Sequence, residues 1–62
     1  MNNRKVFSTR EVEKILRKNG YTYKKSRGSH IHYEKDGNIV VITKDINAMV
    51  WRRLMKENNI VI

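Results

Sequence analysis

Apolar residues recur at helical spacing in two segments of the chain. Those of the first segment are Val12, Ile15 and Leu16. Just before them, Ser8 and Glu11 have the spacing of a capping box, in which each side chain hydrogen-bonds to the backbone N–H of the other residue. Gly20 tolerates the left-handed backbone conformation that commonly follows a helix end. The pattern therefore predicts a first helix from Thr9 to Asn19.

The second amphipathic segment lies later in the chain. Its apolar stripe consists of Val50, Trp51, Leu54 and Met55, and its basic stripe consists of Arg52, Arg53 and Lys56. Asp45 or Asn47 can accept hydrogen bonds from the first N–H groups of such a helix. We predict a second helix from Ala48 to Glu57. An apolar tail at residues 60–62 follows it and either packs back on the core or adds an edge strand.

The residues between the two helices alternate with the period of β-strands. The predicted strands are Tyr21–Ser26, His30–Lys35 and Asn38–Thr43. Asp36-Gly37 is a strong signal for a tight hairpin, and Gly28 marks a turn between the first two strands. Because both connections are short, we predict a three-stranded antiparallel meander.

Neither helix can bury its apolar stripe alone, so both are expected on one face of the sheet. The side chains predicted on that face are Tyr21, Tyr23, Ile31 and Tyr33. The side chains predicted on the opposite, solvent-facing side are Lys24, Ser26, His30, His32 and Glu34. Residues 39–42 are apolar on both faces, which predicts that the third strand is the best covered. The fold class is α+β in the order α-β-β-β-α, with residues 1–62 forming a single domain.

The charge of the chain indicates an anionic partner. Fourteen Lys or Arg against six Asp or Glu give a formal net charge of +8, and 39% hydrophobic residues are too many for a disordered basic tail. The absence of Cys excludes disulfides and thiolate metal sites. No apolar run is long enough to span a membrane, and no apolar segment of a signal peptide follows residues 1–5. We therefore expect a cytoplasmic protein that binds nucleic acid, an acidic protein, or both.

The densest candidate chemistry surrounds the turn at Gly28. The candidate catalytic residue is His30, and the candidate RNA-binding residues are Lys24, Lys25, Arg27, Gly28, Ser29 and His32. Cations before the turn would hold a phosphodiester and stabilise the charge that develops on its nonbridging oxygens. The imidazole of His30 is suited to general acid or base chemistry. Since RNA supplies its own nucleophile, the 2′-OH, one positioned base can start cleavage without a metal ion or another cofactor.

Two of these residues have more than one interpretation. His32 shares a strand face with His30, about 7 Å along the strand, and can be a second acid or base, a phosphate contact or a solvated side chain. Ser29 can donate a hydrogen bond to phosphate or stabilise the turn. The two histidines do not have the spacing of metal ligands.

Gly28-Ser29-His30, between a basic strand and an aromatic-bearing strand, resembles the Gly-Ser-His signature of the HicA toxins of bacterial toxin–antitoxin systems. Residues 18–21 are similar to the end of the family's first helix, and residues 51–56 are similar to its closing helix. The resemblance implies a double-stranded-RNA-binding-domain-like fold and metal-independent cleavage of mRNA, with His30 as the catalytic histidine. It also implies a HicB-type antitoxin partner that covers this histidine.

The chain departs from the family pattern near its second helix. Relatives commonly have Pro at the end of the third strand and Gly-Thr-Leu at the start of the last helix. This chain has no Pro, and residues 48–50 are Ala-Met-Val. The departure affects the loop at residues 44–47 and leaves His30 unchanged.

Two rival functions fit the same composition. In the first, the chain is a non-catalytic RNA-binding module of the same fold, and His30 is only a contact. In the second, it is a DNA-binding or ribosomal accessory domain whose contacts come from Arg52 and Arg53 on the second helix.

Overall fold

The computed structural model describes residues 5–62. Residues 1–4, on which part of the signal-peptide prediction depends, lie outside the described residues. None of the helices within residues 5–62 is long and apolar enough to cross a membrane. In chain order the elements are β1 (Val6–Phe7), α1 (Thr9–Lys18), β2 (Thr22–Arg27), β3 (His30–Lys35), β4 (Asn38–Thr43), β5 (Ile46–Asn47) and α2 (Ala48–Glu57).

The predicted order of two helices around a three-stranded antiparallel sheet is confirmed. β3, β4 and α2 have the predicted bounds. β2 starts and ends one residue later than predicted, and α1 ends at Lys18 with Asn19 as its C-cap. The fold is therefore α+β and double-stranded-RNA-binding-domain-like.

Polar side chains fix where both helices begin. Ser8 and Glu11 form the predicted capping box, because the Glu11 N–H donates to Ser8 Oγ at 3.3 Å and the Ser8 N–H donates to Glu11 Oε1 at 3.3 Å. Of the two candidate caps for α2, Asn47 takes the role, and its Oδ1 accepts from the N–H groups of Met49 and Val50. Each such cap stabilises a helix by about 1 kcal/mol.

The sheet order is β2-β3-β4, so β3 is the central strand. The prediction that the third predicted strand is the best covered is wrong, since that strand is β4, at an edge of the sheet. Ile39 and Val41 of β4 are 46% and 40% exposed. The Asp36-Gly37 turn has positive φ at both residues, 49° and 84°, as a tight hairpin turn requires.

A second, two-stranded sheet is absent from the sequence predictions. In it β1 pairs antiparallel with β5, with Val6 opposite Asn47 and Phe7 opposite Ile46. Strands of two residues are too short to show an alternating pattern, which explains why they were missed. This pairing joins the residues before α1 to the residues before α2.

Both helices contribute to one core with a single face of the sheet. Its buried members are Phe7, Val12, Leu16, Tyr21, Tyr33, Val40, Ile42, Ile46, Ala48, Trp51 and Ile60. The apolar tail packs back on this core, which was one of the two predicted alternatives. Ile60 is buried, and its N–H donates to the carbonyl of Met55. The Asn19 side-chain amide holds the backbone of Val61 through both its N–H and its carbonyl.

Candidate active site

The sheet face that points away from the helices, called the open face below, carries most of the predicted site residues. Residues directly opposite each other in antiparallel strands project on the same side of the sheet. Three rows therefore cross the open face: Arg27, His30 and Thr43; Lys25, His32 and Val41; and Thr22, Glu34 and Ile39.

His30 lies in the first row, next to the turn, and is exposed to solvent. Arg27 is its partner on β2, and Thr43 is its partner on β4. Side chains opposite each other in this way have Cβ atoms about 4.5–5.5 Å apart. A cation and a hydroxyl thus flank the imidazole.

Thr43 is not among the predicted site residues, although the sequence contains the signal that finds it. The two-residue turn at Asp36-Gly37 pairs Lys35 with Asn38. Counting outward from the turn by equal steps brings His30 opposite Thr43. The turn type alone therefore fixes the register of β3 against β4.

A β-bulge at Lys24 brings three cations to the open face. Tyr23 is opposite Tyr33, whereas Lys25 is opposite His32, so β2 contains one extra residue at this point. The Lys24 ammonium lies 3.9 Å from Glu34 Oε1, on the open face. After the bulge, Lys25 and Arg27 also belong to the rows of this face.

The same bulge makes the prediction for Ser26 wrong. Ser26 was expected beside His30 on the open face, but it is opposite Ile31. Its Oγ accepts a hydrogen bond from Tyr23 Oη at 3.1 Å, so both side chains lie on the helix side. An extra residue shifts the alternation of a strand by one position, and every later side chain changes face.

Tyr23 is on the predicted face but is not part of the core. Its ring is edge-on to the ring of Tyr33, with centroids 5.9 Å apart, and the residue is 52% exposed. The exposure arises because β2 is an edge strand, and all of its residues are exposed. An accessible aromatic ring therefore lies at the β2 edge of the sheet, on the side opposite the candidate site.

Backbone hydrogen bonds hold the turn between β2 and β3. The Ser29 carbonyl accepts from the N–H of Lys44 at 3.2 Å, and the N–H of the following residue, Asp45, donates to Thr9 Oγ1 at 3.3 Å. The turn next to His30 is therefore connected to the start of α1. Gly28 has φ +61°, and a Cβ built on it meets nothing within 4 Å. The backbone conformation thus favours glycine, and the space above it is open to a ligand.

His32 is half-buried in the second row. Its Nδ1 is buried and has no hydrogen-bond partner within residues 5–62. Any contact between His32 and a bound ligand therefore falls to Nε2. The side chain lies next to Lys25 on one strand and Val41 on the other.

The cations of the open face differ in how far they are neutralised. Lys24 lies near the carboxylate of Glu34, whereas Lys25 and Arg27 form no ion pair with a described carboxylate. The part of the chain that the structure describes contains no group of three or more His, Asp or Glu residues placed to hold a metal ion. Positive charge is therefore free beside His30 and His32.

The open face is less polar than predicted. Ile39 and Val41 occupy the β4 ends of two rows, and both are largely exposed. Because Val41 is in the row of His32 and Lys25, an apolar patch borders the cationic part of the face. Such a combination suits a partner that offers both negative charge and apolar surface.

Comparison with known proteins and families shows which family the chain resembles. No match was found among curated proteins or among solved structures. The sequence profile of one family, described as HicA toxin of bacterial toxin–antitoxin, matches residues 9–60, from the first residue of α1 to the buried Ile60. Membership in this family implies a cognate antitoxin as partner and RNA as substrate. The match includes both helices, the three-stranded sheet and the turn before His30, and the chain therefore belongs to the HicA family of toxins.

Proposed function

We propose that this chain is the toxin of a type II toxin–antitoxin system and an endoribonuclease that cleaves mRNA in the cytoplasm. In this proposal residues 1–62 act as a single HicA-like domain, His30 is the general acid or base, and no metal ion takes part. The observation that carries the proposal is the register that puts Arg27 directly opposite an exposed His30.

The reaction follows from the chemistry of RNA. His30 takes the proton of a 2′-OH, the 2′ oxygen bonds to the adjacent phosphorus, and the bond from phosphorus to the 5′ oxygen breaks. The leaving 5′ oxygen receives a proton from water or from His32. Negative charge grows on the nonbridging oxygens as the new bond forms, and a guanidinium beside the imidazole stabilises it.

The predicted RNA-binding residues divide by their surroundings. Lys25 and Arg27 have no carboxylate partner and bind phosphate directly, while Lys24 contributes less because Glu34 is close. The open space above Gly28 lets the RNA backbone approach the turn, where the Ser29 hydroxyl donates to phosphate. His32 contacts the RNA through Nε2.

The test compares the parent chain with His30→Ala on RNA in the presence of EDTA. Losing a general acid or base lowers the cleavage rate by about 10²–10⁴-fold, and growth arrest on induction should disappear with it. His32→Ala is the matched control, because it removes the same group two residues along the same strand face. We expect a smaller loss there.

Two results contradict the proposal. If His30→Ala cleaves RNA and arrests growth as the parent does, the catalytic assignment is wrong. If the parent binds RNA tightly and leaves it intact, the chain is a non-catalytic RNA-binding module.

We further propose that a HicB-type antitoxin covers the open face. The net charge of +8 and the exposed pair Ile39 and Val41 support an acidic partner with an apolar contact surface. Val41→Lys should weaken inhibition by the cognate antitoxin while RNA cleavage continues. Inhibition that is equally strong in both chains would place the antitoxin elsewhere.

A further inference from the structure

Helix α1 carries a basic groove that the proposed active site does not use. The groove has a volume of about 580 Å³, and its lining residues are Thr9, Arg10, Glu13, Lys14 and Arg17. Arg10, Lys14 and Arg17 are spaced four and three residues apart, which puts them on one face of the helix.

The positive charge of this groove is largely free. Arg10, Lys14 and Arg17 form no ion pair with a carboxylate within residues 5–62. The acidic side chain of the groove, Glu13, accepts a hydrogen bond from the Tyr33 hydroxyl at 2.8 Å and is thereby held toward the sheet. Three cations against one carboxylate leave a surface that attracts a polyanion.

The groove is connected to the open face around the exposed edge of the sheet. Tyr23 lies at this edge on the helix side, and its ring contacts Tyr33, which in turn reaches Glu13 of α1. On the other side of the same strand are Lys25 and Arg27. A chain of phosphates can therefore pass from the His30 row over β2 to α1 and meet cations on both sides, with an exposed aromatic ring between them.

We propose that single-stranded RNA bound at His30 continues around the edge of β2, stacks a base on Tyr23 and lays its phosphates along the α1 groove. This inference rests on the proposed function for the identity of the polyanion. Single-stranded RNA is favoured because a path around one strand needs a sharp bend, and duplex nucleic acid stays straight over about 150 base pairs. Aromatic rings stack on any base, so the contact adds affinity without selecting sequence.

The experiment measures RNA binding by full-length chains over a range of salt concentrations, in the parent and in a His30→Ala background that leaves the RNA intact. The probe is a single-stranded RNA of about 16 nucleotides, the upper end of typical single-strand site sizes. The variant Arg10→Gln, Lys14→Gln, Arg17→Gln removes three phosphate contacts. The slope of log K against log salt should therefore become shallower by about 2, with at least about a tenfold loss of affinity at low salt.

The matched control is the variant Arg52→Gln, Arg53→Gln, Lys56→Gln, which removes the same charge from an exposed face of α2. It should change the slope far less. Because Arg17 adjoins the Tyr33 hydroxyl, its substitution can also affect folding. The double variant Arg10→Gln, Lys14→Gln leaves Arg17 in place and avoids this effect. Its slope of log K against log salt should become shallower by about 1.4. Circular dichroism of each variant verifies the fold.

Tyr23→Ala tests the stacking contact and should weaken binding about fivefold or more, while Tyr23→Phe should bind as the parent does. On an RNA of two or three nucleotides, the α1 variants should bind and be cleaved as the parent is, since so short a chain cannot reach the groove.

Three results overturn the inference. They are an unchanged salt slope in the α1 variants, an equal change in the α2 control, or an equal loss of affinity for a duplex of the same length. If the α1 effect is present but the parent never cleaves RNA, the proposed function fails and the binding surface stands. If cleavage depends on His30 and the α1 variants bind normally, only the binding surface fails.

Discussion

The two faces of the three-stranded sheet are formed by alternate residues of the same strands, yet they differ in burial, charge and polarity. On the helix side, Tyr33, Val40 and Ile42 are buried against α1 and α2. On the open face, their chain neighbours His32, Val41 and Thr43 lie in rows with cations and remain at least partly accessible. Adjacent residues of one strand thus pack in the core on one side of the sheet and contribute to the candidate site on the other.

A substitution should therefore have different consequences on the two faces. On the helix side, a change removes contacts in a core that a chain of this size cannot replace, so stability falls and activity follows. On the open face, a change alters charge or proton transfer, so activity falls while the fold persists. Substitutions on the two faces, taken in order of decreasing effect, test this separation.

The largest effect is expected on the helix side. Trp51→Ala empties a fully buried site, and removing a buried aromatic side chain costs about 3–5 kcal/mol. This is comparable to the whole stability of many small domains, so the variant should be largely unfolded at 37 °C. Denaturant unfolding, monitored by circular dichroism, measures the loss of stability. Substitution of the exposed Met49 by Ala is the control. A loss below about 1 kcal/mol would show that the helix side is not the source of stability.

The next effect belongs to the open face. Arg27→Gln removes the cation opposite His30 and should lower the rate of RNA cleavage by about 10- to 100-fold, in the range of losing one transition-state contact. Lys24→Gln is the control, because Glu34 partly neutralises this lysine, and its effect should be several-fold smaller. Both variants should unfold at the denaturant concentration of the parent. Equal rate losses in the two variants would indicate that cleavage depends on the total positive charge of the open face and not on the position of Arg27 opposite His30.

A third pair of variants separates strain from function. Gly28 and Gly37 both have positive φ in two-residue turns, and a Cβ on either meets nothing within 4 Å. Substitution by Ala should therefore cost each turn a similar free energy of unfolding, about 1 kcal/mol. Only Gly28→Ala should reduce RNA cleavage, because only that turn adjoins His30. If Gly37→Ala reduces cleavage as much, the turn at Gly28 has no role of its own.

The smallest effect concerns the hydrogen bond between Tyr33 and Glu13. Tyr33→Phe should cost about 1 kcal/mol of stability at neutral pH. Burial raises the pKa of Tyr33 above its ordinary value, and the hydrogen bond to the Glu13 carboxylate raises it further. At alkaline pH the unfolded chain therefore loses the phenol proton before the folded chain does, so the parent loses stability as pH rises. The stability difference between parent and variant should narrow at alkaline pH, and a difference that does not change with pH would contradict this assignment.

Much of the fold can be predicted because local signals agree. Ser8 and Glu11 mark the start of α1, Asp36-Gly37 fixes the central hairpin, and the bounds of β3, β4 and α2 follow from periodicity and turn chemistry. The same hairpin register even contains the neighbour Thr43, once residues are counted outward from the turn. Signals of this kind depend on residues a few positions apart, so a single sequence is sufficient to detect them.

The parts that could not be predicted depend on the third dimension. Tyr23 has the side-chain type and phase of a core residue, and its exposure follows only from the edge position of β2. Ile39 and Val41 likewise suggest a covered strand, but no element within residues 5–62 packs over that side of β4. The β1–β5 pairing consists of two residue pairs, which are 41 and 39 positions apart in the chain. The sequence therefore predicts which residues form the candidate site, whereas their positions relative to one another follow only from the structure.

The bulge at Lys24 has a consequence for how the charge of this site can change. In a regular strand counted from the Arg27–His30 pair, Lys25 and Arg27 would keep their places, whereas Lys24 would lie opposite Tyr33 on the helix side. The number of cations on the open face thus depends on the alternation of side chains along β2 as well as on which residues β2 contains. Deleting Lys24 would remove the bulge and leave Lys25 and Arg27 opposite His32 and His30, because both pairs lie between the bulge and the turn. The site would keep its arginine and lose only the lysine that lies near Glu34.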